Sequence, residues 1–315
     1  MEFNKSNCFN NKNKNQNLIH YKGVLGEFDY DPNIWIIYKD KLIFKDKDIT
    51  SLPENLELPK GCISTSHMFR GCTNLTDITP LQNWDTSKVK NMYCMFEYCE
   101  KLTDITPLKN WNTSNVESTS YMFECCKKLT DITPLQNWNT SKLVSMPGMF
   151  CYCEKLTDIS SLQNWDTSNI ENISCAFSNC KKLTDIYPLQ NWNTSNVTSM
   201  SEMFEYCINL TDVTPLQNWN LSSVEYIQAM FCYCENLVDL IPLQNWDTSS
   251  VIDMSFMFSD CKSLTNISPL QNWNTSKVED ISFMFEDCIN LKDISSLENW
   301  DTSNVEDMLG MFHKS

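Results

Sequence analysis

Residues 75–101, "LTDITPLQNWDTSKVKNMYCMFEYCEK", set a period that the rest of the chain keeps. Leu75, Leu102, Leu129, Leu156, Leu183, Leu210, Leu237, Leu264 and Leu291 follow one another at 27-residue steps with no insertion. The tryptophans from Trp84 to Trp300 keep the same step, and only Trp35 stands apart. Met68-Phe69 and Cys72 lie one period before Met95-Phe96 and Cys99, so a partial unit precedes the nine full ones. A period of roughly 20 to 50 residues is the mark of a stacked array in which each unit touches only its neighbours. The chain is therefore expected to be one architectural body despite its 315 residues.

Within a unit the apolar positions are Leu75, Ile78, Leu81, Trp84, Val89, Met92, Met95, Phe96 and Cys99. Their spacing fits neither a long helix nor an alternating strand, but it fits a coil turning around a core. "LTDIT" has the content of a short strand, which Pro80 ends. "QNWDTSK" reads as a turn whose Asn, Asp, Thr and Ser oxygens satisfy backbone N–H groups. Val89–Met92 reads as a second short strand, and "YCMFEYC" as one or two helical turns. The domain organisation predicted is a polar, disordered tail over 1–22, a β-hairpin cap over 23–57 built on "NIWIIYKDKLIF", and a solenoid over 58–315. At the far end His313, Lys314 and Ser315 replace "EDC", with Ser315 on the cysteine position, which makes the last turn polar.

The motifs "LTDI", "NWDTSKV", "NM", "MF" and "C" of residues 75–99 resemble the repeat of BspA-like leucine-rich-repeat surface proteins, and the likeness runs from about residue 59 to 315. One departure is an extra residue in "ITPLQNW". The resemblance implies an α/β repeat solenoid, a leucine-rich-repeat-like right-handed coil with short parallel strands and short helical turns. That family occurs in bacteria, protists and large DNA viruses, and its bacterial members are often exported adhesins. Fold transfers across such a likeness better than function does.

Sixteen cysteines pose a choice between a disulfide ladder and buried thiols. Nine of them, Cys72 through Cys288, share one repeat position, as small buried hydrophobes do. The first 22 residues lack the apolar stretch of about 7 to 15 residues that a secretory signal needs. No apolar run reaches the roughly 18 residues of a membrane span. The expected location is cytoplasmic, with no membrane insertion; the alternative is the cell surface by an unconventional route.

A net charge of −16 opposes binding to phosphate backbones, so no nucleic-acid partner is expected. Catalysis needs unlike residues at one spot, whereas a repeat lays like residues in rows, and no enzyme is expected. No phosphate loop or dinucleotide fingerprint is present, so no cofactor is expected. His67 lies one period before Cys94 and forms the one Cys–His pairing, without an orienting acid visible in the sequence. Cys151-Tyr152-Cys153 and Cys232-Tyr233-Cys234 look like halves of a zinc site, but three coils at strand spacing part them by roughly 14 Å. No metal site is expected.

The surface columns are more informative. Asp77, Asp104, Asp131, Asp158, Asp185, Asp212, Asp239 and Asp293 form an acidic row broken only by Asn266. These carboxylates either accept turn hydrogen bonds and keep the rod soluble, or form a strip for a basic protein partner or weakly held divalent cations. The Cys94 column varies freely from coil to coil, and Phe256 with Phe283 on adjacent coils makes a candidate apolar contact patch. The function expected is a non-enzymatic scaffold presenting an extended surface for protein–protein interaction; the alternative is an exported adhesin. The sequence names neither partner nor oligomeric state.

Overall fold

The computed structural model describes residues 18–315; the predicted tail lies outside the described residues as far as residue 17. Its last part is not tail. Ile19–Gly23 forms strand β1, which pairs antiparallel with β2 (Gly26–Tyr30), so the cap takes in residues that polar composition had assigned elsewhere. A second hairpin follows, β3 (Trp35–Ile37) against β4 (Leu42–Phe44). Its two-residue loop is Lys39-Asp40, at φ 46° and 54°, the paired positive values that the natural twist of a hairpin favours. The cap is thus two hairpins rather than one. Gly26 and Gly61 let the cap close on the first coil: a Cβ on Gly26 would run into the Gly61 carbonyl.

Nine coils stack behind this cap. Each begins on a buried leucine and then makes a 3-10 turn, from Thr79–Asn83 in the first to Ser295–Leu297 in the last. Proline in the first turn of most of them presets φ and removes an N–H that the turn leaves unused. No α-helix occurs among the described residues, and the repeats hold no extended strand. The parallel pairing shrinks to one residue per coil, a ladder running Ser64, Asn91, Ser118, Ser145 and onward to Asp307.

The hydrogen bonds explain why the expected strands and helical turns fail to form. N–H groups of Met92, Cys94, Phe96 and Tyr98 donate to the carbonyls of Ser118, Ser120, Met122 and Glu124 on the next coil, at 2.8–2.9 Å. Those of Met95, Glu97 and Cys99 instead close turns onto Met92, Cys94 and Phe96, at 2.9–3.3 Å. Alternation between ladder and turn requires left-handed backbone at Cys94 (φ 54°) and Tyr98 (φ 60°), and the same two positions recur in every coil. "YCMFEYC" is therefore a pair of linked turns, with every buried donor used locally or across coils.

One core cluster runs from Leu25 to Trp300. Phenylalanines stack through its centre, Phe96 on Phe123 at 5.7 Å with planes 4° apart, and the tryptophans keep a parallel file, Trp84 on Trp111 at 6.2 Å. Trp35 of the cap joins both files, 6.0 Å from Phe69 and 6.3 Å from Trp84. Side chains also stitch coils together. Trp111 Nε1 donates to the Leu81 carbonyl at 2.9 Å, and Cys99 Sγ to the Phe69 carbonyl at 3.3 Å. Both bonds recur along the array, and Ser315, on the cysteine position, donates its hydroxyl to the Phe285 carbonyl. The polar "HKS" ending does not make the last coil polar throughout, since Leu297, Trp300, Met311 and Phe312 line an apolar hollow there. All described cysteines are free thiols, and all but Cys175 are buried. No helix among the described residues is long and apolar enough to cross a membrane.

Candidate interaction face

The acidic row lies where the coil enters its 3-10 turn. All eight aspartates are exposed. In each coil the Oδ1 of this position accepts the N–H two residues on, at 2.7–2.9 Å, as Asp77 does from Thr79 and Asp212 from Thr214. The Thr79 hydroxyl and N–H hold the Asp77 carboxyl below its ordinary range, so it is charged at neutral pH. Asn266 accepts from the Ser268 N–H at 2.9 Å in the same way. The turn thus requires an oxygen acceptor and not a charge.

A second column shows what the chain does when only the acceptor matters. Asp85, Asn112, Asn139, Asp166, Asn193, Asn220, Asp247, Asn274 and Asp301 each accept the N–H two residues on, at 2.9–3.1 Å. Asn and Asp interchange freely here, while the Asp77 column holds aspartate in every coil but one. Like charges in adjacent coils repel one another, so the uniform carboxylates are more than the fold needs.

Beside the row stands the Thr79 column, threonine or serine in most coils but Tyr187 and Ile241 in two, at 59% and 53% exposure. An open depression of about 600 Å³ between coils is lined by Asp185, Tyr187, Gln190, Asp212, Gln217 and Asn218 among others. Sequence reasoning passed over Tyr187 and Ile241. Their signal is a large apolar side chain in a column of small hydroxyls.

Phe256 and Phe283 occupy a different column, the left-handed Cys94 position. Their rings stack at 4.8 Å and 15°, Phe256 is 38% exposed, and a Cβ on Gly310 would sit 2.5 Å from the Phe283 ring. The pair is a half-covered stack, separate in the coil from the aspartates. Among the described residues one trio of metal-ligating side chains converges, His67, Cys94 and Glu97. The Cys–His pairing read from the period is real, and Glu97 is the acid the sequence did not reveal. Burial pushes the repeat-position thiols up, well above the ordinary value at Cys126 and Cys153, which keeps them protonated and inert.

A family profile described as a Mycoplasma protein of unknown function, DUF285, matches residues 62–158, 153–241 and 208–315. The chain belongs to this family. The DUF285 matches cover the stacked coils and stop short of the hairpin cap. A solved structure of a leucine rich cell surface protein from Faecalibacterium prausnitzii A2-165 is 15% identical over 92% of this chain and 98% of its own, with a TM-score of 0.32. No curated protein matches the chain.

Proposed function

We propose that this DUF285 chain is a non-enzymatic repeat scaffold whose aspartate row is an extended binding strip for a basic protein partner. The supporting observation is the contrast between two columns with the same hydrogen bond: aspartate and asparagine interchange in one, and the charge is kept in the other. Tyr187 and Ile241 add exposed apolar anchors beside the carboxylates, the combination of aromatic contact and charge that concentrates binding energy at interfaces. The reading includes the BspA-like form of the 27-residue signature and its right-handed winding.

Changing Asp131, Asp158 and Asp185 together to Asn keeps every acceptor and removes three charges. The matched control changes Asp166, Asp247 and Asp301 to Asn, which removes as many charges from the interchangeable column. Proteins retained by the immobilised wild type from a lysate at low salt are compared with those retained by the two variants, alongside thermal melting. Loss in the first variant alone, with melting unchanged, is expected. Equal loss in both reduces the effect to net charge, and no loss in either removes the strip. The likeness to BspA-like surface repeats favours a second reading, an exported surface protein. Protease treatment of intact producing cells separates the two, since only a displayed rod is cut.

A further inference from the structure

The regular columns break at one place, next to the cap. His67 and Cys94 are successive members of the left-handed column, and Arg70 and Glu97 are successive members of the column three residues on. Four unlike side chains thus meet across two coils, which a repeat seldom allows. A ring nitrogen of His67, the Cys94 sulfur and a carboxylate oxygen of Glu97 all lie within 4.8 Å of one another. The three residues are 5%, 3% and 4% exposed.

Their polar capacity is not used up. His67 Nδ1 has no hydrogen-bond partner, and a buried nitrogen left so is costly. Glu97 Oε1 accepts from Arg70 Nη2 at 2.8 Å, while Oε2 stands 2.7 Å from Arg70 Nε without a well-angled hydrogen bond. The His67 ring meets Tyr93 edge-on at 5.0 Å, which fixes its plane but leaves its nitrogens to other partners. Within the left-handed column alone, the Cys175 thiol lies 3.5 Å from Glu202 Oε2 without an imidazole, and among the described residues the trio occurs in the first coils.

We propose that His67, Cys94 and Glu97 bind a divalent metal ion of the zinc class, with a fourth position left to water. Nitrogen, thiolate and carboxylate are the donor types such borderline-soft ions take, and three protein ligands plus water is an established tetrahedral pattern. At ordinary metal–ligand bond lengths the ligand atoms of a tetrahedral site are roughly 3.3 to 3.7 Å apart, so these must draw in by at most about 1.5 Å. Side-chain rotation supplies that. On binding, the metal–sulfur bond replaces the S–H bond of Cys94, and the proton leaves to solvent. Thiolate and carboxylate then balance the dication, and Arg70 holds the Glu97 carboxylate from outside, as partners of metal ligands commonly do. The ion would clasp the first full coil to the partial one beneath it, a role distinct from the aspartate strip.

The full chain, reduced and stripped by chelator, is titrated with Co²⁺ and followed by absorption, then with Zn²⁺ in competition. One equivalent of Co²⁺ giving thiolate-to-metal charge transfer and tetrahedral ligand-field bands is expected. Cys94→Ala, which copies Ala229 of the same column, abolishes the charge-transfer band. Glu97→Ser, which copies Ser178, and His67→Ala each weaken binding by more than about tenfold, the least that loss of a mere supporting partner costs. Cys175→Ala changes nothing. Melting of each variant without metal shows that it folds. Absence of saturable stoichiometric binding by the wild type, or equal binding by Cys94→Ala, overturns the proposal.

Discussion

Phe96 and Cys94 are two residues apart in the same coil, and their columns obey opposite rules. Through the array the first holds phenylalanine in every unit from Phe69 to Phe312. The second reads His67, Cys94, Tyr121, Gly148, Cys175, Glu202, Ala229, Phe256, Phe283 and Gly310. Phe96 is fully buried between two other rings, so its shape is dictated by packing. The Cys94 column is dictated by backbone: every member has φ between 53° and 62°, and none is valine, isoleucine or threonine. A left-handed site tolerates many side chains but penalises a branched Cβ. Identity is required where side chains interlock, and only conformation is required where the chain turns.

The contrast can be broken most forcefully at its packed end. Phe150→Ala, in the middle of the ring file, should cost about 3 to 5 kcal/mol in urea unfolding, as large core truncations do. A loss below about 1 kcal/mol would show that the file tolerates gaps. Trp165→Phe keeps an aromatic ring but removes the Nε1 donor to the buried Leu135 carbonyl, at 3.3 Å, and should cost about 1 to 3 kcal/mol in the same assay. At the permissive end, Ala229→Val should destabilise by more than Ala229→Gly stabilises, each on the order of 1 kcal/mol, because φ there is 53°. Equal melting of the two variants would sever the column from its backbone rule.

The smallest effect concerns Glu205, three residues beyond the left-handed Glu202. Burial raises its carboxyl above the ordinary range, opposed by the Ser178 hydroxyl and assisted by the Glu202 charge. A raised folded-state value means that folding favours the protonated form, so this group's contribution is full at acid pH and lost as pH rises through the folded value. Glu205→Gln should therefore raise the melting temperature slightly at pH 7, with the gain vanishing below pH about 4, where the wild-type carboxyl is protonated in both states. A gain that persists in acid would assign it to packing.

The inward leucines, tryptophans, phenylalanines and cysteines were legible in the sequence because burial enforces their period, and Ser315 was legible as a stand-in for cysteine. The turns were not. Left-handed positions usually announce themselves as glycine or asparagine, and here Tyr98, Cys125, Tyr152 and Tyr206 fill them, so the segment reads as helix. "LTDIT" has strand residues, but Asp77 accepts the N–H of Thr79, the first residue of a 3-10 turn, and the extended backbone ends there. The aspartate row was visible as charge, whereas its meaning needed the hydrogen bonds of Asn266 and the Asp85 column. Glu97 escaped because its approach to Cys94 and His67 depends on a turn that the residue types do not signal.

The bonds of the repeat tryptophans and of the Cys99 column reach backward. From Trp111 and Cys99 onward, each repeat indole and each thiol of the Cys99 column donates to a carbonyl 30 residues earlier, and the first repeat indole, that of Trp84, donates to the Leu56 carbonyl, 28 residues earlier in the segment leading out of the cap. A coil leaving the ribosome accordingly finds the acceptors for its indole and thiol already in place on the coil made before it, and the cap, made before the coils, supplies the starting template. The array is suited to growth from one end, one layer at a time, each coil placing its indole and thiol donors on the layer below while its ladder N–H groups await the carbonyls of the layer above.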